Sequence, residues 1–353
     1  MVTGETELPT NANELFTWSR RGAFWHAARA AKHEVVAYLP AWMYLVYGCL
    51  LLNAEMTNVD PPRYDLVPTV IFPLLVFVLF SAARAFGSSD VVGAGRVRLF
   101  VASVGLALAL PAINLAYHQP SPLTRDGLLM IYEYSNFFWA GLLIWHAWKH
   151  DRSHVTLFFG VGLLYGMGLE NGGILLGFFH ETNLTRTQVP PFLAPVATMV
   201  GWSIVLYMAT FVVWKMRVWL PALRRSALAS AVSVGLLATM LDLQIDPIAT
   251  ATGCWVWHES LPAWFYGVPQ VNFVAWVTSL TPFAYVFFRI QERAGLVDGA
   301  TWPRRELLRL LAWVPAAMVL ALMVFMSATV LLEGPTGPSW EIMSRFVVKA
   351  CDL

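Results

Sequence analysis

Residues 163–180 read LLYGMGLENGGILLGFFH, and residues 236–258 read LLATMLDLQIDPIATATGCWVWH. Both stretches are as apolar as membrane-spanning helices, yet each carries an acid, Glu170 or Asp246, seven residues before a glycine. A charged side chain in hydrocarbon costs at least about 2.5–3.5 kcal/mol on insertion scales. Two acids at matching points therefore indicate an internal repeat whose two copies share one function.

The composition predicts an integral membrane protein. Hydrophobic residues make up 58% of the 353 residues and charged residues only 13%, whereas soluble domains average about 25% charged residues. A transmembrane helix needs about 20 mainly apolar residues. Nine segments meet that length: 35–54, 66–86, 99–118, 128–148, 155–180, 192–214, 228–254, 267–288 and 310–333. We predict an all-α fold, a polytopic bundle of about eight or nine transmembrane helices.

Short connections join these segments, so we expect a single transmembrane domain over residues 35–333. Residues 1–34 form a cytoplasmic lead-in, either an amphipathic helix at the membrane interface or a plain ordered segment. Residues 334–353 form a C-terminal tail. Because one span separates the two acid-bearing helices, both run in the same direction. The repeat is therefore a parallel pair of two-helix units, at 155–214 and 228–288.

Lysine and arginine residues in the loops predict the orientation. With the N-terminus in the cytoplasm, eighteen of them lie on the inner side and five on the outer side. We therefore expect a multi-pass protein of the inner (cytoplasmic) membrane with its C-terminus outside. Glu170 and Asp246 then lie at about the same depth, in the outer half of the bilayer.

The sequence gives no sign of a metal, a cofactor or a nucleic-acid partner. The topology accounts for the basic residues, and the net charge is +1. The three cysteines do not have the spacing of metal ligands. The glycine motifs that bind phosphates or dinucleotides do not occur. The expected partners are the lipid bilayer and a lipophilic small molecule.

Further polar residues lie near the depth of the two acids. Asp242 comes one helical turn before Asp246 and shares its face. The others are Glu133, Asn136, Asn171 and Asn272. Because polar groups in lipid need partners, this layer predicts a cavity lined by carboxyl and amide groups. Two alternatives stay open: Asp242 also suits a hydrogen bond between helices, and Glu133 also suits the headgroup layer.

The segment after Asp246 combines a proline with many aromatic residues. Pro247 predicts a break in the helix, which suits the wall of a cavity. The aromatic residues that follow, with one histidine among them, are Trp255, Trp257, His258, Trp264, Phe265 and Tyr266. They fit the aromatic belt of a membrane interface. They equally fit a slot for a flat apolar substrate, whose walls stabilise a cation.

Three motifs follow one another in the second copy: DLQIDP at 242–247, GxWxW at 253–257 and FYGVPxxNFxxW at 265–276. Their order resembles the membrane carotenoid biosynthesis family, whose characterised members are 1′,2′-hydratases of the bisanhydrobacterioruberin and γ-carotene type. The resemblance covers about residues 130–290, and His180 departs from it in the first copy. It implies a carotenoid or other isoprenoid substrate, no redox cofactor, and other enzymes of the pathway as partners.

The resemblance also implies a reaction, hydration of the terminal 1′,2′ double bond of an acyclic carotenoid end. This chemistry needs a proton donor, a pocket that tolerates a tertiary carbocation, and a held water molecule. An apolar surrounding favours a protonated carboxyl group, which suits a general acid. We assign Asp246 as the acid, Glu170 as the group that holds water, and Asp242 as a third catalytic residue. The expected substrate-binding residues are Asn272, Tyr266, Trp257, Trp255, Asn171, Glu133 and His258.

Three other functions would use the same features. A membrane isoprenoid or carotenoid cyclase would make the same carbocation, and a neighbouring double bond would capture it in place of water. A proton-coupled transporter would use Glu170 and Asp246 as relay groups, but the parallel repeat and the scarcity of polar residues in the inner half argue against it. A pigment-binding membrane protein would use the aromatic slot without a reaction.

Overall fold

The computed structural model describes residues 125–181 and 184–351, together with Gly105. Four predicted segments lie outside the described residues, with the exception of Gly105 in the last of them. They are the lead-in 1–34 and the spans 35–54, 66–86 and 99–118.

The described chain folds mainly into helices. In chain order they are α1 (Arg125–His150), α2 (Arg152–Leu176), α3 (Val196–Trp219), α4 (Pro221–Arg224), α5 (Ala227–Thr252), α6 (Gln270–Arg293), α7 (Arg304–Glu333) and α8 (Pro338–Cys351). Within this part of the chain, α2, α3, α5, α6 and α7 are long and apolar enough to cross a membrane. These helices agree with the predicted multi-pass membrane protein. Helix α8 lies in the segment predicted as a tail.

The structure also contains short strands that the sequence did not predict. Strand β1 (Phe179–Glu181) pairs antiparallel with β2 (Trp255–Trp257), and β3 (Ala263–Phe265) pairs with β4 (Val268–Pro269). Strands β1 and β2 belong to different copies of the predicted repeat. Their pairing therefore joins the C-terminal ends of α2 and α5.

Helices α2 and α5 end in the same way. Gly177 and Gly253, each seven residues after an acid, have φ angles of 88° and 71°. Glycine adopts this left-handed conformation without the steric penalty of other residues. The backbone N–H groups of Gly177 and Phe178 bond back to the last turn of α2, at 3.0 and 3.1 Å, and those of Gly253 and Cys254 do the same in α5, at 3.1 and 2.8 Å. Each glycine thus directs the chain from helix into strand.

The predicted helix break at Pro247 is wrong. Helix α5 continues through Pro247 to Thr252. Proline removes one backbone donor, but its φ angle is close to the helical value. Membrane helices tolerate such a loss where neighbouring helices pack against them. Helix α6 packs along α5 on one side and along α7 on the other.

Several connections meet at the end of the bundle away from β1 and β2. The Ser153 hydroxyl accepts a hydrogen bond from the Trp302 backbone N–H at 2.9 Å. Arg217, at the end of α3, binds Asp298 at 2.9 Å. The starts of α2 and α7 therefore lie beside the end of α3. This arrangement agrees with the predicted alternation of spans, with the basic loops at one end.

Aromatic packing fills the half of the bundle near those connections. Phe158 and Tyr165 of α2 pack with Tyr207 of α3 and Phe287 of α6, and all four are almost completely buried. The Tyr207 hydroxyl bonds to the His146 ring at 2.7 Å. The Tyr165 hydroxyl donates to the backbone carbonyl of Ser279. These contacts fill this half of the bundle, so open space remains in the half near β1 and β2.

Candidate active site

A cavity of about 420 Å³ lies among α1, α2, α3, α5, α6 and α7, next to β1 and β2. Small-molecule sites have volumes of about 300–1,000 Å³. Most of the lining is apolar or aromatic. Its polar side chains, apart from the indoles, are Tyr132, Asn136, Glu170, Thr198, Asp246, Asn272 and Ser279. The structure therefore brings Glu170, Asp246 and Asn272 together on one cavity, as the sequence predicted.

Asp246 belongs to a buried cluster with Asp242 and Asn272. The Asn272 side-chain amide donates to Asp242 Oδ2 at 2.7 Å and also to Asp246 Oδ2. One amide thus bridges two carboxyl groups that lie one turn apart on α5. Asp242 is fully buried behind Asp246 and does not line the cavity.

Glu170 has a different partner. The indole N–H of Trp202 donates to Glu170 Oε2 at 2.6 Å. Helix α2 leaves room for this indole at Gly166, one turn before Glu170, because a Cβ atom there would lie 2.3 Å from Trp202 Cβ. Glu170 also interacts electrostatically with Asp242 and Asp246. Three carboxyl groups thus share one region of the bundle.

Trp202 and Trp276 stack on each other and both line the cavity. Their ring centroids are 4.3 Å apart and the ring planes differ by 16°. Each tryptophan comes seven residues after the proline that precedes its helix, Pro195 for α3 and Pro269 for α6. The predicted set of site residues did not include this pair. The equal spacing from the two prolines was the signal that could have found it.

Trp255 and Trp257 also line the cavity, in agreement with the sequence prediction. Trp257 Nε1 donates to the Thr250 hydroxyl at 3.0 Å. The Trp255 ring lies edge-on to Tyr132, with the centroids 6.3 Å apart. The strand pairing between β1 and β2 holds both tryptophans at the end of the cavity where α2 and α5 end.

Three of the predicted substrate-binding residues lie away from the cavity lining and support loops. Asn171 Oδ1 accepts from the backbone N–H groups of residues 193 and 194, at 2.7 and 3.1 Å. The ring of His258 bonds to the Ser260 hydroxyl at 2.8 Å. Tyr266 has a φ angle of 49° in the turn between β3 and β4.

Glu133 is a fourth predicted site residue outside the lining. It is fully buried, on α1. Its carboxyl group accepts from the Arg186 guanidinium at 3.3 Å and from the Thr187 backbone N–H at 3.2 Å. Glu133 therefore anchors the loop that leads into α3.

The cavity combines carboxyl groups with aromatic rings and has no basic partner. Among the described residues, no lysine, arginine or histidine lines it. In the same part of the chain, no group of three histidine, cysteine or acidic residues is arranged to hold a metal ion. Carboxylates and aromatic faces both attract positive charge. The cavity therefore favours a cation over an anion.

The model for a family described as carotenoid biosynthesis protein matches residues 131–338, more than half of the chain. The chain belongs to the carotenoid biosynthesis protein family. The family match begins in α1 and ends at the first residue of α8, so it includes all or most of each described helix that lines the cavity. The resemblance predicted from the motifs is confirmed, and it continues beyond residue 290 through α7.

Membership of the carotenoid biosynthesis family supports a role in making carotenoids. Comparisons with curated proteins and with solved structures gave no match. The choice of reaction therefore depends on the cavity.

Proposed function

We propose that this carotenoid biosynthesis protein hydrates the terminal 1′,2′ double bond of an acyclic carotenoid end. The proposal depends on one observation. A pair of aspartates bridged by Asn272 and a third carboxyl group, Glu170, meet at an apolar, aromatic cavity with no basic side chain among its described residues. Such a cavity provides a proton donor, a proton acceptor and surroundings that stabilise a carbocation.

The first step is protonation of the alkene. Asp246 lines the cavity beside Asp242 and carries the proton in this mechanism. The π electrons of the double bond form a new C–H bond at C2′ with this proton. C1′ is left as a tertiary carbocation, and the aspartate pair is left with one more negative charge. Asn272 donates to both carboxyl groups and stabilises that charge.

The second step is addition of water. Glu170 holds a water molecule beside C1′ and accepts its proton while a lone pair of the water oxygen forms the C–O bond. The product is a tertiary alcohol, heavier than the substrate by one water molecule. Transfer of the proton from Glu170 back to the aspartate pair restores the starting state. Both Glu170 and Asp246 line the same cavity.

The rest of the polyene lies along the bundle surface at α7. Val319 and Leu322 line the cavity and are also 59% and 42% exposed. The cavity therefore reaches the surface of the described bundle at an apolar edge. This edge suits a substrate that is dissolved in the bilayer, since its long chain never has to cross water.

Pigment analysis of a host that makes acyclic carotenoids tests the proposal. Expression of the protein should yield a product heavier by one water molecule, detected by mass spectrometry. A product of unchanged mass with a shifted retention time would instead identify a cyclase, in which a neighbouring double bond captures the cation. No new pigment, at normal expression, would favour a transporter or a pigment-binding protein.

We also propose that the two helix pairs are copies of a parallel repeat, with the N-terminus in the cytoplasm. The matching glycine caps, strands, prolines and tryptophans support the repeat. The common position of the basic loops supports the topology. Reporter fusions after residues 151, 222 and 298 should all report the cytoplasm. Two fusions that report the opposite side would refute this topology.

A further inference from the structure

We propose that Trp202 and Trp276 form a subsite that binds a positively charged group at the end of an isoprenoid chain. This group is the tertiary carbocation of the reaction or a quaternary ammonium of the same shape. The inference rests on the proposed function only in that both place a cation in this cavity. A hydratase and a cyclase would need the subsite equally.

The stacked geometry is the first argument. The two rings lie nearly parallel, 4.3 Å apart, and both line the cavity. Stacking fixes the orientation of each ring, so little conformational entropy is lost when a ligand binds. Tryptophan has the strongest cation–π interaction of the aromatic side chains, and this interaction strengthens where water is excluded.

The charges around the pair are the second argument. Glu170 and Asp246 line the same cavity, and the Trp202 N–H binds Glu170 at 2.6 Å. The edge of Trp202 is therefore occupied by a carboxyl group, and the indole pair adjoins negative charge. No lysine, arginine or histidine is among the described residues of the lining.

The fit of α2 against α3 is the third argument. A Cβ atom at Gly166 would lie 2.3 Å from Trp202 Cβ and 2.9 Å from Cγ. Glycine at this position therefore lets α2 approach the indole closely enough for its N–H to reach Glu170. The helix contact, the hydrogen bond and the ring stack together hold Trp202 in one orientation.

A matched pair of ligands tests the subsite. Dodecyltrimethylammonium carries the cation, and 2,2-dimethyltetradecane has the same shape without charge. Each ligand is added separately to the full-length protein in nanodiscs of neutral lipid. Cys49 and Cys351 are replaced by serine in this protein and in every variant of it. Binding is measured as protection of Cys254, a buried cysteine that lines the cavity, from a membrane-permeant alkylating agent. This measurement does not depend on catalysis.

We expect the wild-type protein to bind the ammonium ligand more tightly than the alkane. Trp276→Leu and Trp202→Leu should each reduce that preference by about tenfold, which is the size of a desolvated cation–π contact. Trp276→Phe retains a ring and should retain most of the preference. Trp313→Leu, at an exposed position on α7 outside the cavity, should leave it unchanged. The two ligands partition into lipid to different extents, but this difference is the same for every variant because all variants are compared in the same membrane.

Two results would overturn the subsite: a wild-type protein with no preference for the ammonium ligand, or folded leucine variants that keep the wild-type preference. If the leucine variants fail to fold, Trp276→Phe decides, because phenylalanine has a weaker cation–π interaction than tryptophan. A preference equal to that of the wild-type protein would then overturn the subsite. A wild-type protein that prefers the ammonium but forms no hydrated pigment would refute hydration and leave the subsite intact.

Discussion

Glu170 and Asp246 line one cavity, but their surroundings differ in one important respect. The residue one turn before Asp246 is another acid, Asp242, and the residue one turn before Glu170 is Gly166. Asp242 and Asp246 accept hydrogen bonds from the same amide, that of Asn272. Gly166 instead makes room for Trp202, which donates to Glu170. Two similar helices thus place one acid beside a second carboxyl group and the other beside an indole.

The partner helices show the same difference. Asn272, near the start of α6, donates to two carboxyl groups through one amide. Trp202, within α3, donates to one carboxyl group through an indole. The amide bridge therefore links two carboxyl groups. The indole fills one of the about four acceptor positions of the Glu170 carboxylate.

The largest effect is expected for Asp246→Asn. The variant keeps the shape of the side chain and removes the acid that faces the substrate. Hydrated product, measured by mass spectrometry and normalised to protein, should fall at least about 100-fold, a typical general-acid contribution. Asp126→Asn is the matched control, because its side chain is 80% exposed at the start of α1. It should keep wild-type product. Near-normal product from Asp246→Asn would remove this residue from the mechanism.

A smaller effect is expected for Glu170→Gln. The amide keeps the Trp202 hydrogen bond through its oxygen but cannot accept a proton from water. Hydrated product should fall by about tenfold or more, and isomerised or cyclised pigment should appear because the cation still forms. If Asp246→Asn gave these side products and Glu170→Gln did not, the two roles would have to be exchanged.

The Asn272→Leu variant tests how much the amide bridge contributes to the stability of the folded protein. The two buried aspartates lose a shared donor, which costs about 1–3 kcal/mol for a buried polar group left unsatisfied. The apparent melting temperature of the purified protein should fall. Asn136→Leu changes the same kind of side chain elsewhere on the cavity and should lower it less. Equal melting temperatures for the two variants would show that the bridge is unimportant for stability.

The smallest effect concerns Gly166. In Gly166→Ala the new Cβ atom displaces Trp202, and overpacking of this kind costs about 1–3 kcal/mol. We expect a lower melting temperature and a several-fold loss of hydrated product. Gly141→Ala, on α1, has open space around the new Cβ atom and should be neutral, or stabilising by up to about 1 kcal/mol. Identical behaviour of the two variants would contradict the close approach of α2 and α3.

The convergence of Glu170, Asp246 and Asn272 could be predicted because depth in a membrane helix follows from residue position. The contact between Gly166 and Trp202 could not, since it depends on which faces of α2 and α3 meet. Strands β1 and β2 are three residues long, and only their pairing across the bundle makes them strands. The prediction of a helix break at Pro247 was wrong because the packing of neighbouring helices stabilises α5 by more than the loss of one backbone hydrogen bond destabilises it.

The β1–β2 pairing has a mechanical consequence. Each strand begins two residues after the glycine that ends its helix, and each acid lies about 10 Å below that glycine along the helix axis. A bilayer that thins or thickens makes its helices change tilt. Because the strand ladder ties the outer ends of α2 and α5, the two helices must tilt as a unit. The separation of Glu170 and Asp246 is thereby insulated from fluctuations of the surrounding lipid.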